Sequence, residues 1–341
     1  MAFVLDRTEA VQSTPSAPPE WRGPAPSASS GPPLVWILAL GVTALAAWLV
    51  IVGARTLYHA RDLSHALIVA QERTIGPALI VIVLLVVLAE RRWPVVRRPT
   101  LARAHVVDAT YLGLYALVAP LVTLLNTGFA VSVSRYAHFL MLRRLPLAPQ
   151  IAVVAVILVG IDLMNWIAHV ANHRSATLWR FHALHHSQED MSVFTTFRTH
   201  PLSHASYLIA LLPALVLEAS GTVPATGLIV YACLVTLPHA NLRWNFGPLG
   251  HILVSPAYHR LHHASTSIEG RSVVNFGFVL VCWDRIAGCA VYPFGRSPAP
   301  TGVAGRLVPI EQATPHRNII HVISAQLSQP FRLRAGLEGR P

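Results

Sequence analysis

The chain has 341 residues and no lysine, so every cationic side chain other than histidine is one of its 26 arginines. Acidic residues are also scarce, at 15, and charged residues make up 12% of the chain against 53% hydrophobic ones. Soluble domains carry roughly 25% charged residues. A water-exposed globular enzyme is therefore excluded, and the composition indicates a membrane protein. Cysteine is limited to Cys233, Cys282 and Cys289, with no C-x-x-C pair. That spacing excludes a disulfide framework, a zinc ribbon and a c-type haem attachment, and leaves small buried hydrophobes. Also missing are H-E-x-x-H, G-x-S-x-G, the P-loop, the dinucleotide glycine fingerprint and H-P-G-G. No metalloprotease of that kind, hydrolase elbow, flavin, nicotinamide or haem module is readable. The net charge of +11 does not point to nucleic acid, because the arginines lie between apolar runs, where cationic loops set topology.

What remains is a series of apolar runs. Residues 1–32 are rich in Pro, Ser, Ala and Gly and read as a disordered tail, not a cleavable signal. Runs follow at Leu34–Gly53, Thr74–Ala89, Ala109–Val131 and Ile151–Ile167, then a close pair at Ala205–Leu217 and Val223–Pro238 around Gly221. The last two approach the minimum spanning length and fit either a tight helical hairpin or a re-entrant one. The expected fold is all-α, a polytopic membrane bundle of roughly four to six spanning helices with a cytoplasmic histidine-lined di-metal site. Its expected units are a tail (1–32), N-terminal spans (33–150), a catalytic domain (151–292) and a C-terminal tail (293–341) with an amphipathic helix near Ile319–Phe331. The basic loop Glu90–Asp108, with Arg91, Arg92, Arg97, Arg98 and Arg103, assigns that side to the cytoplasm. Two further crossings return the histidine segments to the same face. The absence of lysine suggests GC-rich coding, hence a bacterial cytoplasmic membrane.

Histidine is in excess: 18 in all, twelve of them between His169 and His263. His169 and His173 are four apart and share a helical face. His182-Ala-Leu-His185-His186 and His259-Arg-Leu-His262-His263 repeat one spacing, and His239 stands alone at the end of an apolar run. Adjacent histidines differ by about 100° around a helix, so each pair either serves two ions or brackets one. Imidazole suits Fe, Zn, Cu and Ni. Nine histidines are too many for one tetrahedral ion and suit two ions of higher coordination. Three other residues are catalytic candidates. Asp162, two turns before His169, either holds a ligand's second ring nitrogen or pairs with an arginine. Arg198 is a head-group or oxygen-species donor, or an interfacial cation. Asn275 is a partner behind a ligand. Trp179, Trp244 and Trp283 read as interfacial anchors.

The ordered set resembles the fatty acid hydroxylase / sterol desaturase superfamily from about Asp162 to Gly288. It comprises His169 and His173; Leu178-Trp179-Arg180-Phe181-His182 with His185 and His186; Arg198, His200 and Pro201; His239 and Asn241; Pro256, His259, His262 and His263; Asn275 and Gly277; then Trp283-Asp284-Arg285. Two positions depart from the pattern, Val170 for an arginine and Arg243 for a further histidine. The resemblance implies a non-haem diiron centre, with zinc possible in place of iron, that uses O2 to hydroxylate or desaturate a lipid drawn from the bilayer, a sterol or fatty acyl chain. Electrons would come from a separate donor, a ferredoxin or a cytochrome b5-type protein with its reductase. The alternative is a histidine-rich membrane protein that binds or transports metal. Apolar runs nearly free of ionisable residues argue against transport.

Overall fold

The computed structural model describes residues 76–99, 102–115, 117, 146–211, 213, 222–303, 308 and 318–332. The run Leu34–Gly53 and the tail 1–32 lie outside these residues, as does most of Ala109–Val131. Among the described residues the protein is helical, with isolated bridges such as Pro94 to Leu242 and no strands. In order, the helices are α1 (Gly76–Arg92), α2 (103–115), α3 (Leu147–Arg174), α4 (Ala176–His186), α5 (Thr222–Thr236), α6 (Pro256–His262), α7 (Cys282–Ile286) and α8 (Ile319–Arg332). Short 3₁₀ segments at Val193–Phe197, Pro201–Leu211 and Leu237–His239 connect them.

Helix α3 is the described helix long and apolar enough to cross a membrane. Its 28 residues reach about 42 Å at about 1.5 Å each. Pro146, with φ fixed at −57°, precedes its first turn. It runs through the apolar stretch and continues to His173 without a break, so the first histidine pair stands on its last turns. Ser175 ends it. That residue is extended (φ −93°, ψ 120°), and its hydroxyl accepts from the Leu178 amide 3.4 Å away. One residue thus terminates α3 and caps α4. This hinge turns the two histidine-bearing helices toward each other.

Ile157 and Ile161 of α3 pack with Ala210. Gly227 of α5 lets α3 approach closely, since a Cβ there would stand 2.7 Å from Val154 Cγ1. Helix α1 packs Val83 and Val86 against Val193, Phe197 and Leu242. Its other face leaves Ile80, Val81, Leu84, Leu85 and Leu88 more than half exposed, a contiguous apolar surface.

Helix α8 lies on the domain. Ile319, Ile323 and Leu327 pack on the cluster of Trp179, Ala183 and Leu184, and buried Gln326 accepts from the Tyr111 hydroxyl at 2.9 Å. Ile320 and Phe331 of this helix stay exposed. Two of the three tryptophans read as anchors are internal in function. Trp179 is buried, and Trp283 donates to Asp162 at 2.9 Å. Trp244 stays exposed, beside Trp93.

Candidate metal centre

The nine histidines singled out in the sequence all converge, and all are buried. They form two groups. His169 and His173 of α3, His182 and His186 of α4, and His262 of α6 make the first; His185, His239, His259 and His263 make the second. Within each group one ring nitrogen from every histidine lies within 4.8 Å of the others. The adjacent pairs divide, with His185 and His263 on one side and His186 and His262 on the other. The two groups meet where the His186 and His263 rings stack at 4.2 Å. Local sequence explains the last box. The Ser255 hydroxyl accepts from the Tyr258 amide at 3.2 Å and Pro256 follows, which starts α6 and sets His259 and His262 on one short helix with His263 at its C-cap. Arg243 lies apart, exposed, with its guanidinium on the Pro94 and Val95 carbonyls.

Ring orientation is fixed from behind. His169 Nδ1 lies 2.8 Å from the Phe276 carbonyl and His262 Nδ1 2.8 Å from that of Val274. His185 Nδ1 lies 3.3 Å from the Arg198 carbonyl. A carbonyl only accepts, so each Nδ1 carries the proton and each Nε2 presents a lone pair. His239 follows suit. The Thr196 hydroxyl gives its proton to the Thr236 carbonyl at 3.2 Å, and its oxygen then accepts from His239 Nδ1 at 3.2 Å.

The donor set therefore passes a chemical test for a cation. His185 Nε2 and His239 Nε2 face each other at 3.0 Å, with no proton left to place between them. His259 Nε2 is 3.0 Å from His239 Nε2, and His262 Nε2 is 3.2 Å from His186 Nε2. Two nitrogens each about 2.1 Å from one ion and about 90° apart stand about 3.0 Å from each other. His169 Nε2, His182 Nε2 and both ring nitrogens of His173 and His263 are buried without a hydrogen-bond partner. Bare lone pairs packed this closely repel, and a shared positive ion removes the repulsion. Burial, then the neighbouring rings, holds His185 down to about 3. The same causes hold His182, His186, His259, His262 and His263 well below the ordinary imidazole value. The rings remain neutral, the state in which imidazole binds metal.

The carbonyls behind the rings are themselves pinned by buried carboxylates. Asp284 accepts from the amides of Phe276 (2.9 Å) and Gly277 (2.8 Å), from Trp166 Nε1 (2.8 Å) and from the Tyr258 hydroxyl (3.0 Å). Asn275, at φ +61°, donates to the Tyr258 and Val291 carbonyls and accepts from the Val291 amide. Gly277 has no room for a side chain: a Cβ would stand 2.9 Å from the Leu280 carbonyl oxygen and 3.0 Å from Asp284 Oδ2.

Asp162 takes neither role expected of it. It accepts from the Val279 and Leu280 amides, Trp283 Nε1 and the Tyr231 hydroxyl, and the partner of His169 is a backbone carbonyl. A two-turn spacing places Asp162 on the His169 face but leaves the groups about 10 Å apart along the axis, room that the 276–280 segment fills.

Arg198 is not an interfacial cation. It is fully buried and pairs with Asp108 at 2.8 Å, while its Nε donates to the Leu184 carbonyl and the Ser187 hydroxyl. Asp108 also accepts from Thr195 Oγ1 at 2.9 Å and Gln188 Nε2 at 2.9 Å. Reading the sequence alone missed Asp108 and Thr196. Asp108 had one signal, a carboxylate at the edge of an apolar run.

These features define a helical protein with a paired, all-histidine centre able to hold metal. The profile of the fatty acid hydroxylase family matches residues 154–289, and this match supports the resemblance carried by the histidine boxes. It is 34% identical over 168 residues to the ornithine lipid hydroxylase of Rhizobium tropici, covering 49% of this chain and 46% of that one. It is 31% identical over 131 residues to the alkylglycerol monooxygenase of Homo sapiens, covering 38% of this chain and 28% of the relative. The corresponding enzyme of Caenorhabditis elegans is 26% identical over 133 residues, 37% of this chain and 24% of the relative. The chain thus spans less than half the length of these relatives. No solved structure matches it.

Proposed function

We propose that the protein is a membrane-bound diiron oxygenase that hydroxylates a lipid. The observation that carries this reading is the convergence of nine buried, neutral histidines into two adjacent groups with inward lone pairs. His169, His173, His182, His186 and His262 would hold one ion, and His185, His239, His259 and His263 the other. Two irons bound there would supply O2 activation, with one oxygen atom inserted into a C–H bond, the other leaving as water, and two electrons and two protons consumed. Imidazole suits iron and zinc alike, and the relatives named as hydroxylase and monooxygenase favour iron and oxygen insertion.

The chain's own residues hold and shield. Carbonyls of Val274, Phe276 and Arg198 fix the ring tautomers. Trp179 lies against His173 and His186, with ring centroids 5.1 and 5.5 Å away, and excludes water from that side. Asp162, Arg198 and Asn275 act as positioning residues, since each is occupied by the scaffold. Residues 151–292 form the catalytic unit, α1 and α3 cross the bilayer with further spans, and the centre faces the cytoplasm of a bacterial membrane. Electrons arrive from a separate acidic donor of the ferredoxin or cytochrome b5 type.

The test is metal content and the Mössbauer spectrum of the full chain grown on iron-57 and purified in detergent, with His185→Ala beside it. About two irons per chain as a coupled pair, lost in the variant, is the expected result. Zinc alone, or a folded protein without metal, overturns the reading in favour of metal storage or transport.

A further inference from the structure

The basic loop after α1 encloses space. A cavity of about 420 Å³ is lined by Arg91, Arg92, Arg97 and Arg98, with Glu90 and Asn241. Val87 and Phe194 add an apolar wall. Arginines at a helix end ordinarily serve as solvated anchors. Here four of them border one concavity of a size typical of small-ligand sites.

Two acidic groups nearby, Glu90 and Asp190, are engaged. Glu90 Oε1 accepts from the Val193 amide at 2.8 Å and the Asn241 amide at 2.7 Å, and Asp190 pairs with Arg98. Four guanidinium groups thus border the cavity with the single carboxyl group of Glu90, and their planar donors match carboxylate and phosphate oxygens.

Position narrows the ligand further. The cavity lies at the end of α1, next to the exposed apolar face of Ile80, Val81, Leu84, Leu85 and Leu88. A molecule with its charge in the cavity thus has an apolar surface beside it on which to lay a chain. The cavity is also close to the histidines. Asn241 is two residues from His239, and Arg260, which follows His259, reaches Asn241 Oδ1 at 3.4 Å. We propose that this cavity binds the anionic headgroup, phosphate or carboxylate, of a membrane lipid, and that a lipid held this way is the one presented to the histidine centre. The second clause rests on the oxygenase reading; the first does not.

Binding is measured on the full chain in non-ionic detergent by microscale thermophoresis. The probes are dioctanoyl phosphatidylglycerol, dioctanoyl phosphatidylcholine and inorganic phosphate. Phosphatidylglycerol is expected to bind about tenfold or more tightly than phosphatidylcholine, and to lose about tenfold in Arg91→Glu and in Arg97→Glu, each an exposed site that leaves the core intact. Arg332→Glu, the same charge change on α8, is expected to leave binding unchanged.

An equal loss in Arg332→Glu reduces the effect to general surface charge and overturns the proposal. So does inorganic phosphate binding as tightly as the lipid, which marks a free-anion site. Unchanged lipid binding in the Arg91 and Arg97 variants, with an acidic redox protein losing affinity instead, makes this face a donor dock and also overturns it. His185→Ala is expected to keep lipid binding. A protein that binds anionic lipid with this specificity yet oxidises none would remove the oxygenase reading and leave the headgroup site standing.

Discussion

Asp284→Asn is the sharpest perturbation of the metal centre that touches no histidine. The carboxylate accepts four hydrogen bonds at 2.8–3.0 Å and is fully buried. An amide offers one acceptor oxygen, so its NH2 group must face two of the four donors. The Tyr258 hydroxyl can turn and accept from it, but the Gly277 amide cannot. One buried N–H is then unsatisfied and the remaining bonds lose their charge, a cost of about 2–4 kcal/mol. The loss falls on the segment whose Phe276 and Val274 carbonyls align His169 and His262, both in the first group. His185 and His239 take their alignment from Arg198 and Thr196, on a different segment. The variant is therefore expected to weaken one metal about 10- to 100-fold and leave the other in place. Metal titration of purified variant and wild type, followed by Mössbauer spectroscopy and thermal unfolding, reads both effects. Equal loss of both metals, or full retention of both with an unchanged Tm, would refute separate support for the two groups.

Other perturbations test the rest of the scaffold. Asp108→Ala leaves Arg198 buried without its carboxylate and should destabilise the fold by about 3–5 kcal/mol, read as a large drop in Tm. Its metal loss should be biased toward the second group, opposite to Asp284→Asn. Gly277→Ala forces a methyl group against the Leu280 carbonyl and should cost about 1–3 kcal/mol; a neutral outcome would contradict the close packing there.

Much of the centre was legible in the chain itself. Eight of the nine histidines were marked by spacing, because a helix repeats every 3.6 residues and ligands on one face must recur at three or four, and His239 by its place at the end of an apolar run. The division of each adjacent pair was legible only as a choice. A 100° separation permits either two ions or one, and the packing of α4 against α6 decided it, sending His185 and His263 one way and His186 and His262 the other. Composition pointed to a membrane protein, since a water-facing surface needs more charge than this chain carries, and α3 is long and apolar enough to cross a membrane.

The roles of the polar residues between the boxes were not readable from spacing. Asp162, Arg198 and Asn275 were recognised as unusual, yet their partners lie far along the chain: Val279, Leu280 and Trp283 for Asp162, Asp108 for Arg198, and Val291 for Asn275. A hydrogen bond depends on positions in space, and sequence distance says little about which carbonyl a ring will meet. Local chemistry set the caps at Ser175 and Ser255, the helices they begin and the histidine faces. Tertiary packing alone chose the carbonyls that set each tautomer, because only the folded chain brings those donors and acceptors within 3 Å or so of each other.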